Sequence, residues 1–214
     1  MISDVIIAVT SVIDALEKLG VPYYIGGSVA SSAHGMIRST VDADLIADLK
    51  LEHVAPLAEM LGKTYYLNVN TMADAVKRRT RFNLIHLATM FKVDIFASKA
   101  SPYSRLVFER KHSRTILEDS PKLFFVASPE DTILSKLEWY RLGDEISERQ
   151  WNDILGVMKV QIENLDRDYL QKWAAELGVT DLLERAWKEA EQCSIAASIS
   201  SHRAASIPSA SDSV

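Results

Sequence analysis

The sequence predicts an α+β fold: a small mixed sheet flanked by helices, followed by a C-terminal helical part. Three observations lead there. Short apolar runs at residues 21–25 and 41–49 either stop at glycine or alternate with aspartate, which is the period of strands. Stretches such as residues 5–19 and 51–61 repeat apolar side chains at helical spacing. From Ser128 onward the helical period takes over and strand signals cease.

Taken in order, Val5, Ile6, Val9, Val12, Ile13, Leu16 and Leu19 form one helical stripe, closed by Gly20. Residues 21–25 read as a buried strand entering a tight turn at Gly26-Gly27, and residues 28–34 as a short helix ended by Gly35. In residues 41–49, Val41, Ala43 and Leu45 alternate with Asp42 and Asp44, a strand with one polar face. A helix at 51–61, a strand at 64–69 and a helix capped by Thr71 and running to Arg79 follow. Residues 82–89 and 91–95 are two strands with almost no room between them, hence a hairpin. Residues 101–126 are expected to hold an irregular turn and one or two strands. Ser128-Pro129-Glu130-Asp131 then starts a helix with a capping hydroxyl, proline at its first position and acids in its first turn. Helical breaks fall near Gly143, Asn164 and Gly178. The expected organisation is a core at 1–127, a helical part at 128–193 packed on it, and a Ser/Ala-rich disordered tail at 194–214.

With 214 residues the chain can bury a sizeable core. Its net charge of -5 gives no global attraction to nucleic acid or anionic membrane, although local basic patches can still hold phosphates. One cysteine, Cys193, excludes an intramolecular disulfide and a multi-thiolate zinc cage, and fits a reducing, cytoplasmic location. The N-terminus lacks the basic start of a signal peptide, and no apolar run approaches the roughly 20 residues needed to span a bilayer.

Chemistry concentrates between Tyr24 and Leu45. Two glycines after a strand let backbone amides approach a ligand, and the helix that follows adds partial positive charge at its N-terminus. Gly26, Gly27 and Ser28 therefore suit a triphosphate. Asp42 and Asp44, two apart on a strand, share a face, and their like charges repel unless a cation sits between them. Mg²⁺ suits the place, because it takes one or two carboxylates and leaves its other positions to water and phosphate oxygens. Asp94, in the apolar run Phe91-Lys92-Val93-Asp94-Ile95-Phe96, is the third acid. A lone carboxylate in such a strand is costly without a partner. If its strand lies beside the first, three carboxylates converge and can hold two metal ions about 4 Å apart, Mg²⁺ or alternatively Mn²⁺.

The stretch Ile25-Gly26-Gly27-Ser28 through Asp42-Ala43-Asp44-Leu45 resembles the signature of the polymerase-β-like nucleotidyltransferase superfamily. More narrowly, Arg38-Ser39-Thr40-Val41-Asp42-Ala43-Asp44 resembles the Arg-x-Thr-x-Asp-x-Asp stretch of AbiEii-type nucleotidyltransferases, which include toxins of toxin–antitoxin and phage-defence systems. That family also tends to carry a helical Lys-x-x-x-x-Arg and a later Asp-containing helix. Lys136 through Arg141 and Trp151-Asn152-Asp153-Ile154 match these. The resemblance covers roughly residues 23–160. It implies the nucleotidyltransferase fold and an enzyme that transfers an NMP from an NTP, ATP among them, to a hydroxyl of tRNA or protein. The implied metal site is Asp42, Asp44 and Asp94. Lys136 would contact the triphosphate, Arg38 or Arg141 would support phosphates or the acids, and Asp153 would orient Lys136 or Arg141. A cognate antitoxin is an implied partner. The alternatives are a catalytically inactive binding protein of the same fold and an RNA-binding module.

Two basic clusters, Lys77-Arg78-Arg79 with Arg81 and Arg105 through Arg114, could receive an RNA acceptor. His34, His86 and His112 have no ligand spacing and read as core or surface residues. Trp139, Trp151, Trp173 and Trp187 read as core of the helical part.

Overall fold

The computed structural model describes residues 2–35, 42–115 and 122–205. Along the chain run α1 (Ile2–Lys18), β1 (Tyr23–Ile25), α2 (Gly27–His34), β2 (Asp42–Ala47), α3 (Leu51–Leu61), β3 (Tyr65–Tyr66), α4 (Val69–Arg78), β4 (Arg81–His86) and β5 (Lys92–Ala97). Then come α5 (Pro102–Arg110), β6 (His112–Thr115), β7 (Leu123–Val126), α6 (Pro129–Leu142), α7 (Glu148–Gln161), α8 (Arg167–Leu177) and α9 (Thr180–Ala205). The described strands form one mixed sheet in the order β3-β4-β5-β2-β1-β7-β6. β2 lies antiparallel to β1 and parallel to β5, while β4 and β5 form the expected hairpin.

Alternation decides the two faces of this sheet. Ile25, Ala43, Leu45, Ala47, Phe82, Leu84, Val93 and Ile95 turn inward and share one apolar cluster with α1, α3 and α4. Ile6, Val9, Val12, Ile13 and Leu16, five of the predicted stripe, are buried in that cluster. Gly20, at φ +65, ends the run after α1 in the left-handed conformation that glycine adopts without a side-chain clash. A second cluster, Ile133 to Ala190, is built inside α6–α9.

Short-range polar contacts join the layers. α2 packs on α6 and α7, and a Cβ on Gly35 would lie 2.9 Å from the Gly156 carbonyl carbon, so glycine permits that approach. His34 Nε2 lies 2.7 Å from the Ala127 carbonyl oxygen. Buried Asp131 accepts hydrogen bonds from the Ser128 hydroxyl (2.8 Å), the Tyr169 hydroxyl (2.6 Å) and the Tyr103 hydroxyl (3.2 Å), tying α5, α6 and α8 together.

Three expectations are corrected. α4 is capped by Asn68, whose side chain accepts from the Thr71 N–H, so Thr71 is the third helical residue and not the cap. The segment read as an irregular turn contains α5. Ser101 caps it and Pro102 opens it, but Val107 is its one buried residue, too little apolar surface to announce a helix. The backbone of α9 runs from Thr180 to Ala205. Trp139 is 47% exposed and not core, since it lies on the outer side of α6. No helix among the described residues is long and apolar enough to cross a membrane.

Candidate active site

Register brings the acids together. In the β2–β5 ladder Asp44 stands opposite Asp94 and Asp42 opposite Lys92, so all four side chains leave the same face of the sheet. Asp94 is 4% exposed, whereas Asp42 and Asp44 are half-buried at the open side. The double-glycine turn lies against the same place. The Gly26 N–H donates to the Asp44 carbonyl at 2.9 Å, and Gly27 holds φ +55. A Cβ on Gly27 would lie 1.7 Å from Asp44 Oδ2, so any other residue there would displace the carboxylate. α2 begins at Gly27 with Gly26 as its cap, which puts the helix N-terminus beside Asp44, with Ser28 as its second residue.

Charge at this point is crowded. The Asp44 carboxyl is pushed up from 3.8 to about 6, first by burial and then by the negative charges of Asp42 and Asp94; Lys136 and Lys92 partly offset this. Lys136, 7% exposed on α6, is held by Asp153 of α7 at 2.8 Å. That is the orienting part read for Asp153 in the sequence. Lys92 was not singled out there, yet its Nζ lies 2.7 Å from Asp94 Oδ2. The i, i+2 spacing of Lys92 and Asp94 on a strand was the available signal.

Of the remaining predicted residues, one is not described and one stands elsewhere. Arg38 lies outside the described residues. Arg141 turns away: its Nη2 donates to both Asp181 carboxylate oxygens, at 2.6 and 2.7 Å, and its Nε pairs with Glu145 at 3.0 Å. Five residues beyond Lys136 is about 140° around the helix, so the two cations cannot serve one ligand from one face. The structure thus does not bring Arg141 to the acids. The basic clusters are partly engaged too. Arg78 pairs with Asp74, Arg79 with Asp48, and Arg110 with Glu130 while stacking on Tyr169.

Among the described residues no three His, Cys, Asp or Glu side chains gather as a ready-made metal cage. The set still fits Mg²⁺, which needs only one or two carboxylates and takes phosphate and water oxygens for the rest. The donors are all oxygen, and the repulsion that raises Asp44 is what a divalent cation would relieve.

No protein-family profile and no curated protein sequence matches the chain. Among solved structures it is similar to an antigenic nucleotidyltransferase-like protein from Paracoccidioides brasiliensis, at 16% identity and a TM-score of 0.51 over 87% of this chain and 93% of that one. It is also similar to the antibiotic-resistance factor ANT(2'')-Ia, at 14% identity and a TM-score of 0.48 over 95% and 98% of the two chains. The lincosamide antibiotic adenylyltransferase LnuA aligns at 16% identity and a TM-score of 0.45 over 71% and 95%. The first of these likenesses carries the fold. The chain has the α+β nucleotidyltransferase fold, a mixed sheet flanked by helices with a helical part after it.

Proposed function

We propose that the chain is a magnesium-dependent nucleotidyltransferase that transfers an NMP from an NTP to an acceptor hydroxyl. The observation that carries this reading is the packing of Gly27 on the Asp44 carboxylate, with Asp94 opposite Asp44 in the adjoining strand. Asp42, Asp44 and Asp94 would hold the divalent ions, which supply charge neutralisation for the transferring phosphoryl group. The Gly27 amide and the N-terminus of α2, with the Ser28 hydroxyl, cradle the triphosphate, while Gly26, its N–H donated to the Asp44 carbonyl, shapes the turn. Lys136, fixed by Asp153, adds a positive charge on the α6 side. The acceptor oxygen forms a bond to the α-phosphorus as the bond to the β-phosphate oxygen breaks. Pyrophosphate leaves, and the hydroxyl proton passes to Asp94, whose carboxylate Lys92 holds in place. The narrower AbiEii-type reading, with ATP among the donors, a cytoplasmic setting and a cognate antitoxin, draws support from the Lys136–Asp153 pair between α6 and α7.

The test uses wild type and the Asp42→Ala/Asp44→Ala double variant with Mg²⁺, each labelled NTP, and total tRNA or protein as acceptor. Label transfer should fall by at least about a thousandfold, a loss of roughly 4 kcal/mol of transition-state stabilisation. Equal transfer by both proteins would leave a binding protein of this fold.

A further inference from the structure

We infer that Trp139, Phe96 and Arg81 form the acceptor side of the site and take the end of a single-stranded nucleic acid, one base on the indole and one phosphate on the guanidinium. This rests on the nucleotidyl-transfer reading, because the side on which the acceptor enters follows from where the triphosphate sits. The cradle lies on the β1 side of β2, where Gly26 bonds to Asp44. Asp94 lies on the other side, on β5, so an in-line attack brings the hydroxyl from the direction of β5 and β4.

What stands on that side is unusual for a surface. Phe96 is two residues from Asp94 and therefore on the same face, about 7 Å further along the strand. The Trp139 ring meets Phe96 edge to face with centroids 6.0 Å apart, and the residue stays 47% exposed. Phe96 thus fixes the tryptophan while leaving an aromatic surface open to solvent. Arg81 is directly opposite Phe96 in the β4–β5 ladder, so its side chain leaves the same face. It is exposed, and among the described residues no ion pair engages it, in contrast to Arg78 and Arg79 nearby. Asn83, also exposed, stands opposite Asp94 and adds an amide beside the reacting hydroxyl. The neighbouring acid, Glu138, is answered by Lys99 at 3.5 Å. An open aromatic ring with a cation free of ion pairs on one face is the pairing that holds single-stranded nucleic acid: every base can stack, and every linkage carries a phosphate. An acceptor that is only a polypeptide has no phosphate to meet Arg81.

The experiment measures binding of fluorescein-labelled ten-residue single-stranded RNA and DNA to the full chain by anisotropy, without NTP or metal, at several salt concentrations. Wild type should bind at least one of them. Trp139→Ala should weaken binding about tenfold and Trp139→Phe should restore most of it, as stacking requires. Arg81→Gln should weaken binding and reduce the salt slope by about one phosphate contact. Both positions are exposed, so their substitution leaves the core intact; matched thermal melts verify that. Absence of oligonucleotide binding, or equal binding by wild type, Trp139→Ala and Arg81→Gln, overturns the proposal. Because no NTP is present, the result stands apart from the transfer assay: transfer to another acceptor that survives Trp139→Ala keeps the reaction and removes the platform.

Discussion

On one face of β2 and β5 stand Ala43, Leu45, Ala47, Val93, Ile95 and Ala97, buried in one cluster with α1, α3 and α4. On the other, one residue out of step, stand Asp42, Asp44, Lys92 and Asp94. The same backbone ladder supports both. The apolar face lowers the free energy of the fold with each side chain removed from water. The charged face raises it, since burial and like charges hold the Asp44 carboxyl up at about 6. Stability alone gives no use for that second face, and its place next to a glycine cradle marks where chemistry is expected.

The contrast can be tested from both sides. The largest effect is expected on the apolar face: Leu45→Ala, at a fully buried position, should lose about 3 kcal/mol in urea unfolding through lost transfer energy and a residual cavity. A midpoint unchanged from wild type would show that this face is not the core. Next is Gly27→Ala, whose Cβ must push the Asp44 carboxylate aside. A displacement of this kind, on the order of 1 Å, should cut NMP transfer about a hundredfold, with a smaller loss of stability from the left-handed backbone. If transfer is retained, the cradle and the acid are independent. The smallest effect runs in the opposite direction. With its folded pKa near 6 and an ordinary value of 3.8, ionised Asp44 destabilises the fold fully above pH 6, and the penalty fades as pH falls toward 4. In EDTA, Asp44→Asn should therefore stabilise the protein at pH 7 by about 1–2 kcal/mol, raising the melting temperature by a few degrees, and the gap should close between pH 6 and pH 4. A gap that widens on acidification would reverse the sign assigned here.

Much of this was readable before any coordinates. Gly26-Gly27 after an apolar run announced the turn, and the alternation around Asp42 and Asp44 announced a strand with one polar face. Ser128-Pro129 announced α6, where the Ser128 hydroxyl accepts from the Asp131 N–H as expected. The errors have different causes. Asn68 and Thr71 are both competent caps, and the Asn68 side chain, which accepts from the Thr71 N–H, takes the role. α5 carries too little buried surface to show a period. Lys136 and Arg141 look like a pair on paper, but the rotation of the helix separates them, and Asp181 of α9 claims the arginine.

The sequence by itself determined the period of each element, the acids on one strand face, and the glycines that let a backbone lie against them, because propensity and sterics act within a few residues. Only the tertiary structure decided that Asp94 faces Asp44, that Lys92 holds Asp94, that Arg141 points elsewhere and that Trp139 stays open to solvent. Those outcomes follow from strand register and helix rotation. Both are set by how distant apolar surfaces pack together, and no local window of residues contains that information.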